Sequence, residues 1–160
     1  MEKTADKIKD LVAAKNQVGQ WKQQGKRVVF TNGCFDLLHL GHVDYLEKAR
    51  NLGDVLVVGL NTDDSVSRFK GPQRPIQDQQ SRARILAALQ SVDLVVFFNE
   101  DTPYKLISEL LPQILVKGSD YLAENIVGAD VVKNAGGVVK TIDFVPGYST
   151  TQIVEKIKTT

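Results

Sequence analysis

From residue 27 onward, short β-branched and aliphatic runs alternate with longer amphipathic segments, and that alternation leaves few folds open. Strands are expected at Arg27–Asn32, Val55–Asn61, Leu94–Phe98, Ile114–Lys117 and Val138–Phe144. Helices are expected at Gly41–Asn51, Asp63–Lys70, Asp78–Ser91, Thr102–Leu110, Ala123–Asn134 and Thr150–Lys158. Short strands each followed by a helix imply a parallel sheet covered on both faces. Right-handed crossovers then make it an α/β, doubly wound, five-stranded parallel sheet. Ligands of such sheets bind beyond the carboxyl ends of the strands, near the point where strand order reverses.

A helix is also expected from Thr4 to Gln24, with Ile8, Leu11, Val12, Lys15, Val18 and Trp21 near one face and Gly25 as its stop. Residues 1–25 thus read as an added N-terminal helix, and 26–160 as the one domain of the chain. The apolar stripe of residues 8–21 suits packing or a homodimer contact. A formal charge of +1 gives no general attraction to nucleic acid or to an anionic membrane. No run approaches the ~20 apolar residues of a membrane span, and the charged N-terminus lacks the apolar core of a signal peptide. A single cysteine, Cys34, allows no internal disulfide, so a cytoplasmic protein is expected.

The two histidines of the chain stand three residues apart, as His39-Leu40-Gly41-His42, just after the first strand. Residues i and i+3 share a helix face, and a helix N-terminus offers free N–H groups and partial positive charge to phosphate. Gly41 lets a ligand approach the backbone. A zinc site would want about four ligands, and only Cys34 is near. Asn32-Gly33-Cys34-Phe35-Asp36 forms a tight turn into the histidines. Cys34 reads as a packing residue, and Asp36 as a group that holds the loop or reaches a metal, the loop role being favoured.

Near the C-terminus, Pro146-Gly147-Tyr148-Ser149-Thr150-Thr151 opens a last helix. Its hydroxyls suit an N-cap, and the helix start suits the same polyphosphate. Lys70 precedes the Pro/Gly-rich stretch Gly71–Pro75, expected to be a mobile loop over the site. Arg82 and Arg84 open the helix beyond it, and Lys117 ends a strand before Gly118.

With these residues in view, Thr31–His42, "TNGCFDLLHLGH", resembles the signature of the small nucleotidyltransferases of the HxGH superfamily, and Ser149–Ile153 resembles their C-terminal signature. The likeness runs through about residues 27–157 and implies a Rossmann-like nucleotidyltransferase fold. Two branches fit best, glycerol-3-phosphate cytidylyltransferase and heptose 1-phosphate adenylyltransferase, the latter the nucleotidyltransferase half of a bifunctional kinase/adenylyltransferase of ADP-heptose and lipopolysaccharide synthesis that also occurs as a separate chain. Asn99–Ile107, Ile114–Tyr121 and Asp143–Thr151 resemble the heptose branch, as does Phe144, where the cytidylyltransferase usually has arginine.

The resemblance implies adenylyl transfer from ATP to a sugar 1-phosphate, with Mg²⁺ carried on the phosphates. Catalytic roles then fall to His39, His42, Lys70 and Arg82, with Arg82 gripping a phosphate. The nucleotide would be held by Asn32, Gly33, Cys34, Phe35, Gly41, Lys117, Gly118, Tyr148, Ser149, Thr150 and Thr151. Asp36, Asp63, Asp120 and Tyr121 are the candidates to meet the sugar phosphate, and a homodimer is the family habit. The competing readings are a cytidylyltransferase of a polyol phosphate and a nucleotide-binding module without turnover. RNA binding is disfavoured by the lack of a basic stripe.

Overall fold

The apolar runs form five strands in the computed structural model, which describes residues 1–160. These are β1 (Val28–Gly33), β2 (Val55–Asn61), β3 (Leu94–Phe98), β4 (Ile114–Gly118) and β5 (Val138–Ile142). All pair in parallel, in the order β3-β2-β1-β4-β5. The chain therefore winds outward from β1 through β2 to β3, then returns to the other side of β1 for β4 and β5. The reversal lies between β1 and β4, where a crevice opens at the carboxyl ends of the strands.

Alternate residues of each central strand feed two separate cores, as the two-residue period of a strand requires. Val28, Phe30, Val57, Val96 and Leu115 pack on one face beneath α1 (Leu11–Gln23), α5 (Tyr104–Leu110) and α6 (Ala129–Asn134). Val29, Leu56, Val58, Val95 and Val116 pack on the other beneath α2 (Leu40–Arg50) and α4 (Gln79–Ala88). Burial of each large side chain contributes about 1.5–3 kcal/mol. Truncating the fully buried Leu115 to alanine would cost about 2–5 kcal/mol. Two more helices, α3 (Asp63–Lys70) and α7 (Thr150–Lys158), lie at the carboxyl edge of the sheet and frame the crevice.

The N-terminal region departs from a single helix over 4–24. A short 3₁₀ turn at Thr4–Lys7 gives way to an extended Ile8, which bridges to Val95 while the Lys9 N–H donates to the Val95 carbonyl at 3.0 Å. The segment thereby covers the free edge of β3. Asp10 then caps α1 by accepting the Ala13 N–H at 2.8 Å. Gly25 ends the helix at φ +77°, with the Lys26 N–H returning to the Trp21 carbonyl at 2.9 Å. The inward stripe is Leu11, Ala14, Val18 and Trp21, rotated from the expected one so that Val12 is exposed. The stripe is spent on the chain's own sheet, which removes it as a dimer contact.

Three other helices are shorter than expected, among them α4, which runs Gln79–Ala88 where Asp78–Ser91 was expected. The segment Ala123–Asn134 splits into a 3₁₀ turn, Ala123–Asn125, and α6, because Gly128 between them sits at φ +85°. A side chain at Gly128 would also strike Ile107. The helix expected from Thr102 begins at Tyr104, since a residue before proline is pushed out of helical backbone.

Candidate active site

The β1–α2 junction builds the histidine pair from backbone chemistry. His39 is the N-cap of α2, and its Nδ1 accepts the Gly41 N–H at 3.1 Å. His42 answers with its own Nδ1, which accepts the His39 N–H at 3.4 Å. The two imidazoles thus form a reciprocal capping box, a role more usual for Ser and Glu. Their rings stack at 3.9 Å. A ring nitrogen that accepts a backbone N–H carries no proton, so in each neutral imidazole the proton sits on Nε2. Each is then an N–H donor on the side away from the helix backbone.

Burial, with help from His39 and Lys70, pushes His42 down to about 4, and burial also lowers His39. The pair is therefore neutral at physiological pH. Gly41 is itself buried beneath these rings, and a Cβ there would lie 2.9 Å from His39 Cε1. The glycine makes room for the His39 ring at least as directly as for any ligand.

The C-terminal helix is tied to the same spot. Ser149 caps α7 by accepting the Gln152 N–H at 3.1 Å, and the Thr150 hydroxyl donates to the Leu37 carbonyl at 3.1 Å. The N-termini of α2 and α7 accordingly meet, with Thr150 and His42 lining one recess. Tyr148 and Thr151 are exposed beside it, and Ser149 is spent in part on its cap.

The crevice has two lobes. The histidine lobe, about 190 Å³, includes Phe35, Asp36, Tyr45, Gly118, Asp120 and Phe144. The larger lobe, about 490 Å³, extends across the ends of β2 and β3. Asn32, Gly33, Cys34, Lys70, Lys117 and Tyr121 belong to both and form the waist. Lys117 reaches the Asn32 carbonyl at 3.4 Å and lies 5.0 Å from the Tyr121 ring. Burial lowers its affinity for a proton. Lys70, at the end of α3, is exposed to solvent and to both lobes. Tyr45 is pushed up to about 12 by burial, while its hydroxyl bonds Thr31 Oγ1 at 2.8 Å and its ring stacks on Phe144. Phe144 in turn lies against Gly118, where any side chain would collide with its ring.

Arg82 does not grip a phosphate. Its guanidinium is fully buried and donates to the carbonyls of Cys34 at 2.8 Å, Asn61 at 2.9 Å and Gln77 at 3.0 Å. It also pairs with Asp63 at 2.7 Å. Four of its five N–H groups are engaged in this way, the side chain lines neither lobe of the crevice, and the arginine instead clamps the ends of β1 and β2 together. Asp63 is paired with it and, like His39, lines neither lobe.

Asp36 is also engaged, holding the loop while it lines the histidine lobe. Its buried carboxylate accepts the N–H groups of Ile76 at 2.8 Å and Gln77 at 2.9 Å and meets Arg74 at 3.4 Å. The stretch after Lys70 is thereby fastened to the β1–α2 loop, where a mobile loop was expected. The thiol of Cys34 is buried and raised by burial, as suits a packing residue.

Lining residues not named as site candidates include Asp101 and Thr102 after β3, within the stretch that resembles the heptose branch, together with Phe69, Phe98 and Val127 of the larger lobe. The strand-end rule that singled out residues after the first, second and fourth strands applies equally to the third. It would have found Asp101 and Thr102, whereas Phe69 and Val127 carry no sequence signal of their own.

Known proteins share this arrangement. The bifunctional protein HldE of Magnetococcus marinus is 58% identical over 96% of this chain, and that of Geotalea uraniireducens is 60% identical over the same share. The chain spans about a third of the length of these relatives, 31% in each case. A lipopolysaccharide core biosynthesis protein from Thermoplasma volcanium superposes with a TM-score of 0.60 at 33% identity, over 76% of this chain and 98% of that one. A pantoate-beta-alanine ligase from Francisella tularensis, at 17% identity and a TM-score of 0.63 over 94% of this chain and 76% of that one, shares the fold. The family model described as cytidylyltransferase-like matches residues 30–158. That match begins inside β1, takes in both histidines and both lysines of the waist, and ends in α7, so the chain belongs to the cytidylyltransferase-like family of nucleotidyltransferases.

Proposed function

We propose that the protein transfers the adenylyl group of ATP to a heptose 1-phosphate, giving ADP-heptose and pyrophosphate. The observation that carries the transfer chemistry is the reciprocal imidazole box at the start of α2, set against the start of α7, with His42 lining one crevice with Lys70 and Lys117. The heptose acceptor is supported by the relatives named HldE and by the lipopolysaccharide core biosynthesis protein.

In the reaction an oxygen of the acceptor phosphate attacks the α-phosphorus in line. The bond from the α-phosphorus to the α,β-bridging oxygen breaks, and pyrophosphate leaves with that oxygen. The nucleophile is already an anion, so no general base is required. Two anions must instead be brought together while charge spreads over the transferred group, and positioning with electrostatics supplies most of the rate. His42, as a fixed Nε2–H donor, bonds the α-phosphate as charge develops there. His39, with the N-termini of α2 and α7 and the hydroxyl of Thr150, receives the β- and γ-phosphates. Lys70 and Lys117 stand at the waist, where both substrates' phosphates meet.

Magnesium would be carried on the phosphate oxygens and keep several waters, as it does at nucleotide sites. The donor set fits only that mode. No group of three His, Cys, Asp or Glu side chains converges anywhere in the chain, and Asp36 is spent on Ile76 and Gln77. Asp120 is the carboxylate left in the histidine lobe to meet a metal-bound water. A homodimer and a cytoplasmic location, where ATP is plentiful, complete the proposal.

The test is pyrophosphate release with Mg²⁺, offering ATP and CTP each against heptose 1-phosphate and glycerol 3-phosphate. Release with ATP and the heptose phosphate alone is expected. Release with CTP and glycerol phosphate would replace the acceptor and the base while keeping the histidine roles. No release in any pairing, with ATP still bound, would mark a binding module.

A further inference from the structure

Resting on the adenylyl-transfer reading, we propose that Arg68 is a positioning residue for the transfer: braced on the loop after β3, it fixes the end of α3 and so the point from which Lys70 reaches the reacting phosphates. Lys70 is the last residue of α3, exposed, and common to both lobes of the crevice. Its ammonium pairs with no carboxylate of the chain and lies 5.8 Å from the centre of the neighbouring Phe69 ring. With no ion-pair partner to hold its tip, the place of this side chain is set by the helix end that carries it.

That helix is weakly held by burial. Of its eight residues only Ser65 and Val66 are buried, so polar ties take the part that apolar packing takes elsewhere. Two ties lie at its start. The Thr62 hydroxyl bonds the Asn99 side chain, and the Ser65 hydroxyl donates to the Glu100 carbonyl at 3.3 Å. Two lie near its end. The Ser67 hydroxyl donates to the Arg74 carbonyl at 2.6 Å, joining α3 to the stretch that Asp36 fastens. Arg68 is the other. Its guanidinium forks, Nε donating to Asp101 Oδ1 at 3.1 Å and Nη2 to the Asn99 carbonyl. It lines neither lobe, which places it out of contact with substrate.

The magnitudes separate placement from stability. The side chains of Arg68 and Asp101 are 44% and 84% exposed, and an ion pair so open to water adds little to stability. Asn99 is exposed as well, so its carbonyl can turn to water when the guanidinium is lost. Geometry is less forgiving. Lys70 stands five residues beyond Ser65, about 8 Å along the helix axis, and a tilt of about 8° there carries it about 1 Å away. A misplacement of about 1 Å can cost on the order of a hundredfold in rate. The tie from Ser67 remains when Arg68 is removed, so a smaller loss is expected.

The test compares Arg68→Ala, Arg68→Lys, Lys70→Ala and the double variant of Arg68→Ala with Lys70→Ala. Each is read by melting temperature and by steady-state pyrophosphate release with ATP, Mg²⁺ and heptose 1-phosphate. Arg68→Ala should lower kcat about tenfold, with KM for both substrates little changed, the mark of an interaction realised in the transition state. Its melting temperature should stay within about 4 °C of the wild type. The double variant should be no slower than Lys70→Ala alone, because the brace then has nothing to place. Arg68→Lys keeps the charge without the fork and should recover little. A further loss in the double variant, full recovery by Arg68→Lys, or an unchanged kcat in Arg68→Ala would overturn the brace. A larger fall in melting temperature would make Arg68 structural. A wild-type rate in Lys70→Ala would remove that lysine from the mechanism, and no turnover of heptose 1-phosphate by the wild type would overturn the transfer reading; either result takes the brace with it.

Discussion

His39 Nδ1 accepts the amide N–H of Gly41 at 3.1 Å, and the same glycine leaves the gap into which the His39 ring folds. The pairing assigns the glycine a definite task. Gly41→Ala would place a methyl group 2.9 Å from His39 Cε1 and 3.0 Å from its Nδ1. The imidazole would turn off its cap and away from His42, on which it stacks. Turnover should fall about tenfold or more, because small misplacements of positioned groups cost that much. Melting temperature should drop only modestly, by what one cap is worth, about 1 kcal/mol. Steady-state kinetics beside a thermal melt separates the two.

The histidines also set the acid side of the pH profile. In the free protein His42 titrates near 4, far below an ordinary imidazole, because its charged form is desolvated and faces His39 and Lys70. Its folded value lies below its unfolded value, so the unfolded chain binds more protons between the two. The stabilisation from this group is complete above about 6.5 and is lost as pH falls toward 4. NMR of the imidazole carbons in the ligand-free protein should show the low midpoint, with Nε2 protonated in the neutral form. A midpoint near the ordinary value, or protonated Nδ1, would refute the reciprocal box.

Arg82 and Lys70 should fail in opposite ways. Arg82 holds three carbonyls and Asp63 with a fully buried guanidinium. Arg82→Ala strands those carbonyls in the interior and should cost about 3 kcal/mol or more of stability. Lys70 is exposed and makes no ion pair with any carboxylate of the chain. Lys70→Ala should leave the melting temperature near that of the wild type while impairing turnover. Parallel melts and rates would show the contrast, and a large drop in melting temperature for Lys70→Ala would make it structural.

The sheet was readable because its signal is local. Each strand is a short apolar run, and all five were expected within two residues of where they lie. The histidine pair was readable for the same reason, as His39, Gly41 and His42 sit within four consecutive positions. What stayed hidden depends on partners far away in sequence. Nothing in Gln79–Ala88 says that Arg82 turns inward to carbonyls 21 and 48 residues away. The break at Ile8 likewise follows from an unpaired edge at Val95, which no periodicity within residues 4–24 encodes. The larger lobe is assembled from α3, β3 and the segment before α6, so its walls become a site only once folded.

The most direct measurement is the turnover of His42→Ala with ATP, Mg²⁺ and heptose 1-phosphate, read as pyrophosphate released and compared with the melting temperature of the same sample. Loss of a donor poised on the transferring phosphate is expected to lower kcat by about a hundredfold or more, with the fold intact. Near-normal turnover in a folded His42→Ala protein would contradict the role given to the imidazole and, with it, the proposed mechanism.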